Sequence, residues 1–434
     1  MKENHVLSEK MQTMKRWCLL FLYCNIANFT FAISLNIKSF GAKNDGKTLN
    51  TEIMQRAIDS CARAGGGEVL IPAGGVYLTG TIFLKTNVFL RLESGSVLKG
   101  SPKMTDYDSK FPHLIVAEKA ENMGILGSGV VDGNGAAFWD ENFLPKARPE
   151  PWLIFLNCKN LKFENIQLLN SPAHVLVLDH CDRVTVNAVR IVNHLQSPNT
   201  DGIDVTDSRN VFITNCYIET GDDGICLKSH DTMVENVIAT NNVIISDDAA
   251  IKFGTGGYTG VRYCTFSNNV IRNSRYGIAL FQMDGGRYEH CQFTNTVIHT
   301  ASRHKTEYPI FIDIDKRRDT TRLGSISNIH FSGIQMITRG NCLIAGQAQS
   351  NIQNIIFDNV TLTPAPEPTA DLRQARKPRG NKTLGYYPDM QDFSQVNAWF
   401  TFAHIDGLTL RNVTIQDDKK AREVFHFEGV ERKE

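Results

Sequence analysis

Two short acidic motifs, Asn199-Thr200-Asp201 and Gly221-Asp222-Asp223, carry the residues whose spacing points most directly to chemistry. Four segments around them align without gaps: Asp201-Gly202-Ile203-Asp204-Val205, Asp223-Gly224-Ile225-Cys226-Leu227, Ala249-Ala250-Ile251-Lys252-Phe253 and Tyr276-Gly277-Ile278-Ala279-Leu280. If these are stacked strands, roughly 4.8 Å apart, then Asp201, Asp222, Asp223 and Asp248 crowd one patch about three coils tall. Crowded carboxylates repel, and at least one pKa must rise. A protonated acid beside an ionised carboxylate is what glycoside hydrolysis requires. One group protonates the leaving oxygen and the other serves water or acts as nucleophile. Acids on adjacent or next-but-one coils match the roughly 6.5–9.5 Å spacing of inverting pairs. A calcium site and solvated turn aspartates fit the same spacing.

A repeat must position such a column. An apolar residue followed two places later by Asn recurs at Asn165, Asn215, Asn241, Asn268, Asn295, Asn359 and Asn412, with degenerate copies at Val186 and Phe331. Most steps between copies are 23–27 residues, which suits one coil of three short strands. The segments are rich in Val, Ile, Thr and Phe and alternate apolar with polar. The Asn suits tight turns because it tolerates left-handed backbone and can hydrogen-bond along a stack. The expected fold is all-β: a right-handed parallel β-helix over residues 33–434. A helix from about Thr51 to Ala64 is expected to cap the first coil, with Asn50 as N-cap, an apolar stripe of Ile53, Ala57, Ile58 and Cys61, and Gly65-Gly66-Gly67 as terminator. Insertions near 136–151 and 364–400 break the period and are read as loops that bind or merely cover.

Lys+Arg and Asp+Glu both total 46. This balance gives no reason to expect nucleic acid, and binding of an acidic polymer must be local. Lys15 and Arg16, the apolar stretch Trp17–Tyr23 and the small residues Thr30 and Ala32 read as an export signal over residues 1–32. Translation from Met1 or Met14 is compatible with this. Secretion or a periplasmic location follows, with no membrane anchor after cleavage. Of ten cysteines, eight follow the signal, and none forms a Cys-x-x-Cys pair. Stacked buried thiols are expected rather than zinc or disulfides.

These motifs resemble glycoside hydrolase family 28, the polygalacturonase family, from about Ser39 to Thr363. Phe40-Gly41-Ala42-Lys43-Asn44-Asp45-Gly46, Gly80-Thr81-Ile82-Phe83-Leu84-Lys85 and Asp132-Gly133-Asn134-Gly135 support the likeness. The resemblance implies an inverting hydrolase, without cofactor or metal, acting on a plant cell-wall polysaccharide. Asp222 would protonate the glycosidic oxygen. Asp201 and Asp223 would position and deprotonate water, and Asn199 would help hold the site. The family's Gly-His-Gly is replaced here by Asp248-Ala249-Ala250, and its Arg-Ile-Lys grip on a sugar carboxylate by Ala279-Leu280-Phe281. Two readings follow. The substrate has shifted toward a less charged linkage, such as a rhamnose-containing or substituted pectin, with Phe281 facing a sugar. Alternatively, Lys252, Lys228 and Arg275, near Asp248, supply the missing charge. A non-catalytic glycan-binding β-helix and a lyase or epimerase on the same scaffold are the competing functions. A monomer is expected.

Overall fold

The computed structural model describes residues 33–302, 306–366, 393 and 396–433. The expected export signal and most of the 364–400 insertion lie outside them. The chain is a right-handed parallel β-helix of 34 strands among the described residues. One coil shows the logic. Ile203–Thr206, Arg209–Thr214 and Tyr217–Thr220 each pair in parallel with the strand one coil later, Ile225–Ser229, Val234–Thr240 and Val243–Ser246. Inward side chains such as Val205, Ile213 and Ile218 are fully buried. Toward the far end Phe266, Phe293, Phe331 and Phe357 stack face to face, with centroids 5.2, 5.0 and 4.9 Å apart. That spacing is close to the strand spacing of a sheet.

The recurrent asparagines do what their chemistry allows. All seven have φ between 48° and 61°. Ala188 and Gly333 take the same left-handed conformation in the degenerate copies. Asn215 donates to Asn187 at 2.9 Å and Asn241 to Asn215 at 3.4 Å, so side-chain amides bridge successive coils.

Helix α1 (Thr51–Arg63) buries Met54, Ala57, Ile58 and Cys61, with Ile53 partly covered. Asn50 occupies the N-cap position, but its side chain makes no cap bond. It is fully buried and donates instead to Lys43 O and Leu78 O, tying the preceding loop to the next coil. All eight described cysteines are buried and free thiols. Among the described residues no helix is long and apolar enough to cross a membrane.

Candidate active site

The column read from the sequence is the column in the fold. Ile203, Ile225, Ile251 and Ile278 pair in register, and Gly202 N donates to Asp223 O at 2.8 Å. Asp201 and Asp223 therefore stand on adjacent coils, where the strand begins. Close approach requires glycine beside each: a Cβ on Gly202 would lie 2.5 Å from Gly224 O, and one on Gly224 2.6 Å from Ala250 O. The turn bearing Asp222 is fixed through its backbone. Thr220 Oγ1 and Ser246 Oγ both donate to Asp222 O at 2.7 Å, and Gly221 N donates to Thr200 Oγ1 at 3.0 Å. Asp201 and Asp223 are buried, whereas Asp222 is half-buried.

Asp222, Asp223 and Asp248 bring carboxylate oxygens within 4.8 Å of one another, and Asp201 and Asp223 do the same as a pair. Lysines lie among them. Lys252 Nζ is 2.8 Å from Asp223 and 3.9 Å from Asp248. Lys228 Nζ is 3.2 Å from Asp201 and 3.0 Å from Asp204. Arg275 is 3.3 Å from Asp248. These protein cations supply the neutralising charge that a bound metal ion would bring.

The acids divide into two kinds. Burial alone would lift Asp201, but Lys228, His174 and Lys252 outweigh it and hold the carboxyl at about 2. Burial, then the charges of Asp201, Asp223 and Asp248, pushes Asp222 well above the usual carboxylate range. Burial also raises Asp223, to about 7, with Lys252 opposing and Asp201 and Asp248 adding to the rise. A pair of acids driven apart in this way is the signature of acid–base division.

One expected contact is corrected. Phe281 does not offer its ring to a sugar. It is 1% exposed and packs with Tyr276 and Phe311 in a second apolar cluster, on the outer side of the sheet. Lys228, Lys252 and Arg275 each face carboxylates of the aspartate cluster, which gives those acids their counter-charges. Asn199 has a left-handed backbone, and its Oδ1 accepts from Arg148 Nη2 at 3.1 Å. Arg148 also binds Pro172 O and Pro198 O, so the 136–151 insertion braces the loop entering the site.

Sequence reasoning missed His174, Asp204 and Arg148. His174 Nε2 is 3.6 Å from Asp201 Oδ1. Leu176 pairs with Ile203, so extending the aspartate column back one coil would have reached His174. Asp204 carried a local signal too, as the outward residue of the alternating Ile203-Asp204-Val205. Nothing near Arg148 in sequence indicated its partners.

Residues 61–379 match the model of glycosyl hydrolases family 28. The chain belongs to this family. As a family 28 member it is a glycosidase of polygalacturonase-like type. It is 31% identical over 273 residues to a probable polygalacturonase of Arabidopsis thaliana, an alignment covering 60% of this chain and 56% of that one. It is 26% identical over 357 residues to an endo-polygalacturonase of Pectobacterium carotovorum, covering 74% and 86%. An exopolygalacturonase structure from Thermotoga maritima superposes with a TM-score of 0.67 at 24% identity, over 77% of this chain and 87% of that one, a likeness of fold. This family 28 chain carries Asp201, Asp222 and Asp223, and has Ala249 and Ala279-Leu280-Phe281 where the resemblance led one to expect histidine and a basic grip.

Proposed function

We propose that this family 28 chain is an inverting hydrolase of a pectic polysaccharide, and that it cleaves a linkage less charged than that of plain galacturonan. The observation that supports this most is the division of the acids. Asp222, protonated and the most accessible of the three, donates its proton to the glycosidic oxygen as the bond to the anomeric carbon breaks. Asp201, ionised, orients a water on the opposite face and, with Asp223, accepts its proton. The attacking oxygen becomes the new anomeric hydroxyl; Asp222 is left ionised and the base protonated, and proton exchange with solvent restores both before the next cycle. Water, the substrate and the chain's own side chains suffice, with no cofactor.

The shifted linkage is supported by the cations. Replacement of both basic positions by Ala279 and Phe281 removes charge-assisted hydrogen bonds, each stronger than a neutral one. The remaining nearby cations are engaged with Asp201, Asp204, Asp223 and Asp248. Asn199 and Asp248 are proposed as polar contacts to sugar. The protein is proposed to act after export, in the periplasm or outside the cell, as a monomer.

Product analysis against defined pectic oligosaccharides tests this. Faster cleavage of rhamnose-containing or substituted fragments than of oligogalacturonates is expected. A clear preference for unsubstituted oligogalacturonates overturns the shifted linkage, and no cleavage of any fragment overturns the hydrolase.

A further inference from the structure

The strands that carry the aspartate column end at one corner of the β-helix, and the turns there enclose a trough of about 580 Å³. Met233, Tyr258, Gly286, Arg322 and Ser350, from five successive coils, all line it. At roughly 4.8 Å per coil, the trough runs on the order of 20 Å along the helix axis, which fits an elongated ligand. Its floor is low because glycines form it. A Cβ on Gly286 would lie 2.4 Å from Gly257 O, and one on Gly324 would strike the Gln282 side chain at 2.4 Å.

The lining is cationic and aromatic and contains no acid. Arg322 Nε donates to Gly285 O at 3.0 Å, which pins the guanidinium to the wall. Among the described residues no ion pair joins Arg322 to a carboxylate. Arg287 lies on the neighbouring coil. Its Nη2 contacts Met233 Sδ at 3.7 Å, and its Nε is 3.6 Å from Glu289. The turn that delivers Arg322 also carries Lys316, Arg318 and Asp319, all exposed. Tyr258 is 48% exposed, with the His230 ring 6.0 Å from its own. A planar guanidinium recognises carboxylates through paired N–H donors, and an exposed tyrosine offers an apolar face with a polar edge.

We propose that this trough is a second carbohydrate site, separate from the aspartates, that binds a uronate-bearing stretch of the polysaccharide. The choice of ligand rests on the pectic reading above. It also accounts for how a chain of zero net charge holds an acidic polymer when the cations of its catalytic sheet are engaged with aspartates.

Calorimetric titration of the full-length Asp222→Asn protein with trigalacturonate at low salt, with maltotriose as neutral control, tests the site. Saturable binding is expected for trigalacturonate alone. It should weaken tenfold or more in Arg287→Ala/Arg322→Ala and decline as salt rises. Both arginines line an open surface, so the double variant should keep the parent's melting temperature, which is checked first. Should that temperature fall, Tyr258→Ala serves as the second variant, with the same loss expected. Absence of trigalacturonate binding, equal binding of maltotriose, or unchanged affinity in the variant overturns the proposal. Arginine-dependent binding by a protein whose unsubstituted form hydrolyses nothing supports the trough and overturns only the catalytic reading.

Discussion

Asp222 is the residue on which activity and stability pull in opposite directions. In the fold its pKa stands well above the usual range, chiefly through burial and then through Asp201, Asp223 and Asp248. A raised carboxyl contributes stability below its unfolded pKa and loses it as pH rises through the folded value. At neutral pH the carboxylate form therefore opposes folding. Asp222→Asn should melt higher than the parent at pH 7, with little difference near pH 3, in calorimetric scans at both. The same substitution should lower kcat by about 10²–10⁴, the usual contribution of a general acid. Lys228 acts on the other limb. Burial lifts Asp201, and Lys228 is the largest influence opposing it. Removing that ammonium raises the pKa of Asp201, so the acidic limb of the pH–rate profile should move to higher pH in Lys228→Met. An unmoved limb would show that Asp201 is not the group that must be ionised.

At the scale of the element, the strand-and-turn unit explains what was legible in the sequence. Register, turn position and the aspartate column follow from local rules: alternation along a strand and a left-handed Asn at a fixed offset. Outward packing does not follow from those rules alone. Phe281 was read as a sugar platform because it stands where the resemblance places a basic grip, yet Tyr276 and Phe311 cover it. The signal was the unbroken apolar run Ile278-Ala279-Leu280-Phe281, since such runs belong to strands buried on both faces. The lysines' carboxylate partners were not legible either, because ammonium–carboxylate geometry depends on side-chain reach across coils, which a column alignment cannot give. The turns can be tested directly. Asn215 has φ 58° and bonds Asn187. Left-handed backbone costs a residue with a Cβ roughly 1–2 kcal/mol, and a lost hydrogen bond costs about 0.5–1.5 kcal/mol. Asn215→Val should therefore destabilise by about 2–3 kcal/mol in urea melts. Asn215→Gly should lose only about its side-chain hydrogen bonds to Asn187 and Asn241, relieving the strain while keeping the turn.

For the molecule as a whole, regular coiling turns distance in sequence into adjacency in space. Residues 201, 223 and 248, one coil apart in the chain, become neighbours because each coil repeats the last. The cost is a stack of like charges, offset by Lys228 and Lys252 from the same coils and Arg275 from the next. The breaks in the period are as informative as the period. The 136–151 insertion sends Arg148 beneath the loop that precedes Asp201, which links an irregular segment to the alignment of the site. The acid–base division at Asp222 and Asp201 is the claim on which the functional account depends. It is tested most directly by following the anomeric proton signals by NMR as the enzyme cleaves a defined pectic oligosaccharide. Product whose first-formed anomer is inverted relative to the scissile linkage is the predicted result. A first-formed anomer of retained configuration would contradict the account.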